Sequence, residues 1–173
     1  MAANTYTLIS SNVLASSAAT VTFSSIPATY TDLVIRWSVR TDRANTIDNI
    51  RIQYNGSTSA IYSETRLQGD GSAAASGRQS AITYNDFAIV DGDTATANTY
   101  ASGELYIPSY TASQNKPISF FGAEEENSAT AYMRTMAYLW SSTAAINEIK
   151  LLLASTYQFK ATSSFYLYGI KNS

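Results

Sequence analysis

Wherever this sequence places apolar residues in a regular pattern, the period is that of a strand, and no stretch of useful length has the period of a helix. The clearest run is TDLVIRWSVR, residues 31–40, in which Leu33, Ile35, Trp37 and Val39 alternate with Asp32, Val34, Arg36, Ser38 and Arg40. Successive side chains of a strand point to opposite faces, so the odd positions are expected to face a core. The same reading predicts strands at 5–9, 20–23, 50–54, 82–90, 101–110, 118–121, 130–140, 146–154 and 163–173, about ten in all. Residues 60–67 (AIYSETRL) suit either one helical turn or a short strand. With no helix to cover a sheet, two antiparallel sheets must cover each other. The expected fold is all-β, an antiparallel β-sandwich of jelly-roll type, as one domain over residues 1–173. A chain of 173 residues is long enough to bury roughly two thirds of its unfolded surface without staples.

Composition removes whole classes of function. There is no Cys and no His, so thiolate nucleophiles, imidazole bases, disulfides and the usual zinc or copper ligands are absent. Charged residues make up 14% and the net charge is −2, which argues against nucleic acid as a partner. The start MAANTYTLISSN has no basic segment followed by a long apolar run, so no secretory leader is expected. The longest aliphatic run is Leu151-Leu152-Leu153, far short of the roughly 20 residues that a bilayer requires, so no membrane partner is expected.

The acidic groups read mainly as turn and surface chemistry. Glu124-Glu125-Glu126 lacks the D-x-D alternation that wraps a hard cation and is expected to be a solvated loop. Asp70-Gly71 and Asp91-Gly92-Asp93 are turn signals, and Asn55-Gly56-Ser57 is read as a hairpin turn, not a glycosylation site. Asp86, Asp93 and Glu104 could supply a carboxylate pair for glycoside hydrolysis only if two of them face each other across about 5 to 10 Å. No catalytic, metal or cofactor site is expected. Segments 69–80 and 91–100 are expected to be exposed, outward-facing loops, and Pro108 suggests an edge at the end of its strand.

The last strand, SSFYLYGIKNS, raises a different question. Phe165, Leu167 and Gly169 share one parity, while Tyr166, Tyr168 and Ile170 share the other, so both faces are apolar or aromatic. Such a strand needs cover on both sides, from its own chain or from a second one. Phe165, Tyr166, Leu167, Tyr168 and Ile170 are therefore the candidate interface residues. The thirteen Tyr, among them Tyr30, Tyr54, Tyr84, Tyr106, Tyr132 and Tyr138, suit packing within strands, or stacking against sugar rings where they are exposed. Trp37 and Trp140 are expected in the core. A surface rich in Ser, Thr, Ala and Asn and poor in Lys and Glu loses little side-chain entropy when copies pack together.

Two stretches also carry a family resemblance. LWSSTAAINEIKLLLASTYQFKATSSFYLYGIKNS (139–173) resembles the C-terminal segment of small jelly-roll structural proteins of tailed bacteriophages. In those, a Trp strand leads through a Thr/Ala turn to an I-x-x-I-x-L strand and then to a final S-x-F-x-L-Y-G-I-K strand. YTLISSNVLASSAATVTFSSIPATYTDLVIRWSVRTD (6–42) resembles their opening, with an I-P-x-T-Y-T-D-L turn before the second major strand. The resemblance implies a non-enzymatic virion protein, assembled in the host cytoplasm, with itself and the major capsid protein as partners. A homotrimeric capsid decoration or cement protein is the preferred version, since no fibrous shaft accompanies the module. The alternative is a tail-fibre or head-fibre domain that binds a host glycan.

Overall fold

A computed structural model describes residues 5–128, 131–154 and 156–171, so Thr130 of one predicted strand and the terminal Asn172 and Ser173 lie outside the described residues. The described residues form twelve strands: β1 (Tyr6–Val13), β2 (Thr20–Phe23), β3 (Asp32–Val39), β4 (Ile47–Tyr54), β5 (Tyr62–Gly69), β6 (Ala74–Ile82), β7 (Asn85–Asp91), β8 (Ala101–Ile107), β9 (Lys116–Glu124), β10 (Tyr132–Trp140), β11 (Ile149–Leu153) and β12 (Ser164–Ile170). They make an eight-stranded sheet, β1-β12-β3-β8-β9-β10-β5-β6, and a four-stranded sheet, β2-β11-β4-β7. All pairings within the two sheets are antiparallel.

The pairing is nested. β1 pairs with β12, β2 with β11, β3 with β8 and β4 with β7. This is one long antiparallel ribbon folded back on itself, with its rungs laid in the two sheets, and it defines a jelly roll. The hairpin β5–β6 and the pair β9–β10 are insertions into that ribbon, and they widen one sheet from four strands to eight.

The odd positions of β3 face the core as expected, with Leu33, Ile35, Trp37 and Val39 buried; of the even positions Arg36 is exposed and Ser38 half-buried, but Asp32 and Val34 are buried as well. They meet Val21, Phe23, Ile50, Ile52 and Leu151 from the smaller sheet in a single hydrophobic cluster. Trp37 stacks on Phe120 at 5.7 Å and meets Phe87 edge-on at 5.1 Å. Each such fully buried side chain contributes roughly 1.5 to 3 kcal/mol. Trp140 is buried as well, beside Tyr54.

Several expectations are corrected. Of the two forms left open for residues 60–67 the strand is found, with 62–67 in β5, and segment 69–80 is a loop only at its start, because 74–80 belongs to β6. Nothing in AASGRQS alternates apolar with polar; its extended form comes from the ladder with β5. Asn55 and Gly56 do turn the chain, with φ of 51° and 65°, but β4 and β5 lie in different sheets, so this is a corner and not a hairpin. The Asn55 side chain also receives the amide N–H groups of Asn147 and Glu148 and donates to the Ala145 carbonyl, which fixes the approach to β11. Pro108 follows β8, which is an interior strand and not an edge.

Candidate functional site

From β12 to β5 one face of the wide sheet packs on the core, the edge strands β1 and β6 are largely exposed on both faces, and the other face has no second layer over it among the described residues. β12 lies between β1 and β3, so its backbone is paired on both sides. Phe165 and Leu167 are buried in the core and Ile170 is also buried, whereas Tyr166 and Tyr168 are half-buried on the outer face. The cover that the last strand requires is therefore largely internal. Outside, Tyr168 meets Tyr6 edge-on, and the Arg36 guanidinium lies 5.6 Å and 5.9 Å from those two rings. Arg36 also bonds Glu104 at 2.7 Å. Val34, opposite Tyr168 on one side and Tyr106 on the other, is almost fully covered.

Towards β5 and β6 the same face becomes apolar. Leu67, Phe121 and Met133 are 54%, 53% and 58% exposed. The ladders set Leu67 opposite Thr135 and Thr135 opposite Phe121, with Met133 two residues away on the same strand face. Two shallow grooves result. One of about 250 Å³ is lined by Leu67, Gly69, Ala74, Phe121, Met133 and Thr135. The other, of about 210 Å³, is lined by Glu104, Tyr106, Ser119, Phe121 and Thr135. A third groove, of about 390 Å³ and lined by Thr65, Leu67, Ser76, Thr135 and Ala137, continues along the same face. This run of adjoining shallow grooves suits a broad macromolecular surface better than one enclosed small ligand.

The sequence carried a sign of this face that alternation alone passes over. Phe120 and Phe121 are adjacent, as are the aromatics of β12, and adjacent apolar residues must point to both sides of a sheet.

A second polar centre is buried. The run Glu124–Glu126 is not a solvated loop: Glu124 ends β9, and it and Glu126 are buried while Glu125 is exposed. Glu124 shares parity with Ile118 and Phe120, which is the inward parity. Asp91 at the end of β7 is equally buried, and none of the four carboxylate oxygens of Asp91 and Glu124 has a hydrogen-bond partner that meets strict geometry. Burial first, and then the neighbouring Asp91 carboxylate, push Glu124 up to about 7; burial also raises Asp91. Arg40 beside them spends its guanidinium on the carbonyls of Asp93, Ala95, Thr96 and Thr99, and Glu126 accepts from the Thr96 amide at 2.7 Å. These contacts anchor segment 92–99, a loop in which Asp93, Thr94, Thr96, Ala97 and Asn98 are exposed while Gly92 and Ala95 are buried. Among the described residues no group of three or more acidic side chains is arranged to hold a metal ion.

The carboxylates considered for hydrolysis have separate partners. Asp86 bonds Arg51 at 2.9 Å, Asp93 bonds Lys160 at 2.5 Å, and Glu104 bonds Arg36. No helix among the described residues is long and apolar enough to cross a membrane.

The architecture defines a jelly-roll β-sandwich with one uncovered sheet face. No protein-family model matches the sequence, and no curated protein matches it. Among solved structures, the chain is similar to the galectin LEC-6 of Caenorhabditis elegans, with 8% identity over 99% of each chain and a TM-score of 0.35.

Proposed function

We propose that this chain is a non-enzymatic structural protein of a tailed-phage virion, a decoration protein that docks on the outer capsid surface through the open face of its eight-stranded sheet. The observation that carries the reading is the exposed trio Leu67, Phe121 and Met133 on a sheet face with no second layer over it among the described residues. Apolar residues gathered on one face mark interaction surfaces, and the small uncharged residues around them limit the entropy lost on contact. The resemblance of segments 6–42 and 139–173 to phage jelly-roll proteins supplies the virion context and a homo-oligomeric state. Co-sedimentation with undecorated capsids tests the reading: saturable pelleting supports it, and absence of pelleting counts against it.

A second reading, a host-glycan-binding fibre domain, is favoured by the groove in which the exposed Phe121 ring adjoins Glu104, Ser119 and Thr135. An aromatic face flanked by hydroxyls and a carboxylate suits a sugar ring. Binding to isolated host envelope glycans, with none to capsids, selects this reading instead.

A further inference from the structure

The two sheets have four edge strands, β1 and β6 in one and β2 and β7 in the other. Free edges invite pairing with another chain, and proteins blunt them with bulges, brevity, Pro or Lys. β1 carries a bulge between Leu8 and Ser10, and β2 is only four residues long. The end of β7 is capped by Arg40 and Thr41, whose amide donates to the Asp91 carbonyl. Apart from the charged, exposed Arg78, β6 has no such guard over 74–80: its ladder with β5 is regular there, Ala81 with φ 54° comes only afterwards, and its residues are exposed on both faces apart from half-buried Gly77.

We propose that β6 is a self-association edge, pairing antiparallel with β6 of a second copy across a two-fold axis at Gly77. Three constraints set this register. Residues opposite each other must point to the same side of the joined sheet, so the axis has to pass through a residue and not between two. Only an axis at Gly77 engages all of 74–80. It sets Ser76 against Arg78 of the partner copy, whereas an axis at Arg78 would oppose two like charges. The Arg66 guanidinium, which covers the inner side of Gly77, is paired with Glu64 at 3.3 Å, and this offsets its approach to its symmetry mate. The resulting sixteen-stranded sheet carries both apolar trios on one side. The inference concerns the chain's own edge and does not rest on the capsid reading; a two-fold contact joins two copies, so it differs from the trimer that the phage resemblance implies.

The test uses purified full-length protein with no capsid present, and the absence of Cys gives a clean background. Ser76→Cys and Arg78→Cys are made separately; both positions are exposed. On oxidation the equimolar mixture should give a disulfide-linked dimer and neither variant alone should, because opposed Cα atoms lie within disulfide reach while 76–76 and 78–78 pairs do not. Ser76→Glu should tighten the dimer and Ser76→Lys should weaken it, at least tenfold apart in dissociation constant by sedimentation. The proposal is overturned if the wild type stays monomeric at its solubility limit, if the mixture crosslinks no better than the single variants, or if the two charge variants associate equally.

Discussion

Replacing Glu124 with Gln should remove its share of a pH dependence that the fold otherwise carries. In the open chain this carboxyl ionises near 4.5, and in the fold near 7, because burial and the Asp91 carboxylate oppose its charge. The folded state therefore holds more protons than the unfolded state between pH 4.5 and 7. Stability is highest below that window, falls as pH rises through it, and is flat above. A difference of this size corresponds to about 3 kcal/mol at full ionisation, of which about 2 to 3 kcal/mol is lost between pH 5 and pH 8. Asp91 is shifted in the same direction, so the two carboxyls titrate as a pair. Buried Asp48 and Glu64, also raised, add slope of the same sign, so the informative quantity is the difference between wild type and variant. Urea unfolding followed by Trp fluorescence at pH 5, 6, 7 and 8 gives it. Glu124→Gln should be more stable than wild type at pH 8, and its fall in stability between pH 5 and pH 8 should be smaller by about 2 to 3 kcal/mol. Equal slopes in both proteins would refute the reasoning.

Other expectations follow from single contacts. A Cβ at Gly103 would lie 2.3 Å from Trp37 Cζ2 and 2.9 Å from the Phe121 carbonyl oxygen, so Gly103→Ala should cost about 3 kcal/mol in thermal unfolding; a loss below about 1 kcal/mol would mean that the ring is free to move. Arg40→Met removes the donor to four carbonyls of segment 92–99 and the cation beside Asp91, so it should cost about 3 to 5 kcal/mol and speed hydrogen exchange at 92–99; unchanged exchange there would contradict the role given to Arg40.

The strands that face the core were legible because each buries one face, and the period then shows in the sequence. β3, β4 and β11 are of this kind. β6 was not legible, since a strand exposed on both faces has no apolar period and is defined by its neighbour β5. Glu124 was misplaced because three consecutive carboxylates look like a solvated turn; its parity with Phe120, the signal that puts it inside, is visible only once β9 is extended to residue 124. The paired-apolar pattern at Phe165–Tyr168 did indicate a strand needing cover on both faces. It could not show that the cover on one side would be the core and on the other Tyr6 and Arg36, because those contacts span more than 100 residues of sequence. The open trio is similar: Leu67, Phe121 and Met133 come from three strands and meet only when β5, β10 and β9 pair.

The central claim is that the open sheet face is the docking surface, and the most direct measurement is co-sedimentation of undecorated capsids with wild type and with the Leu67→Ser, Phe121→Ser, Met133→Ser triple variant. All three side chains are more than half exposed, so the variant should fold and melt like the wild type. The account predicts saturable wild-type binding that weakens at least tenfold in the variant. Equal binding of the two proteins would contradict it.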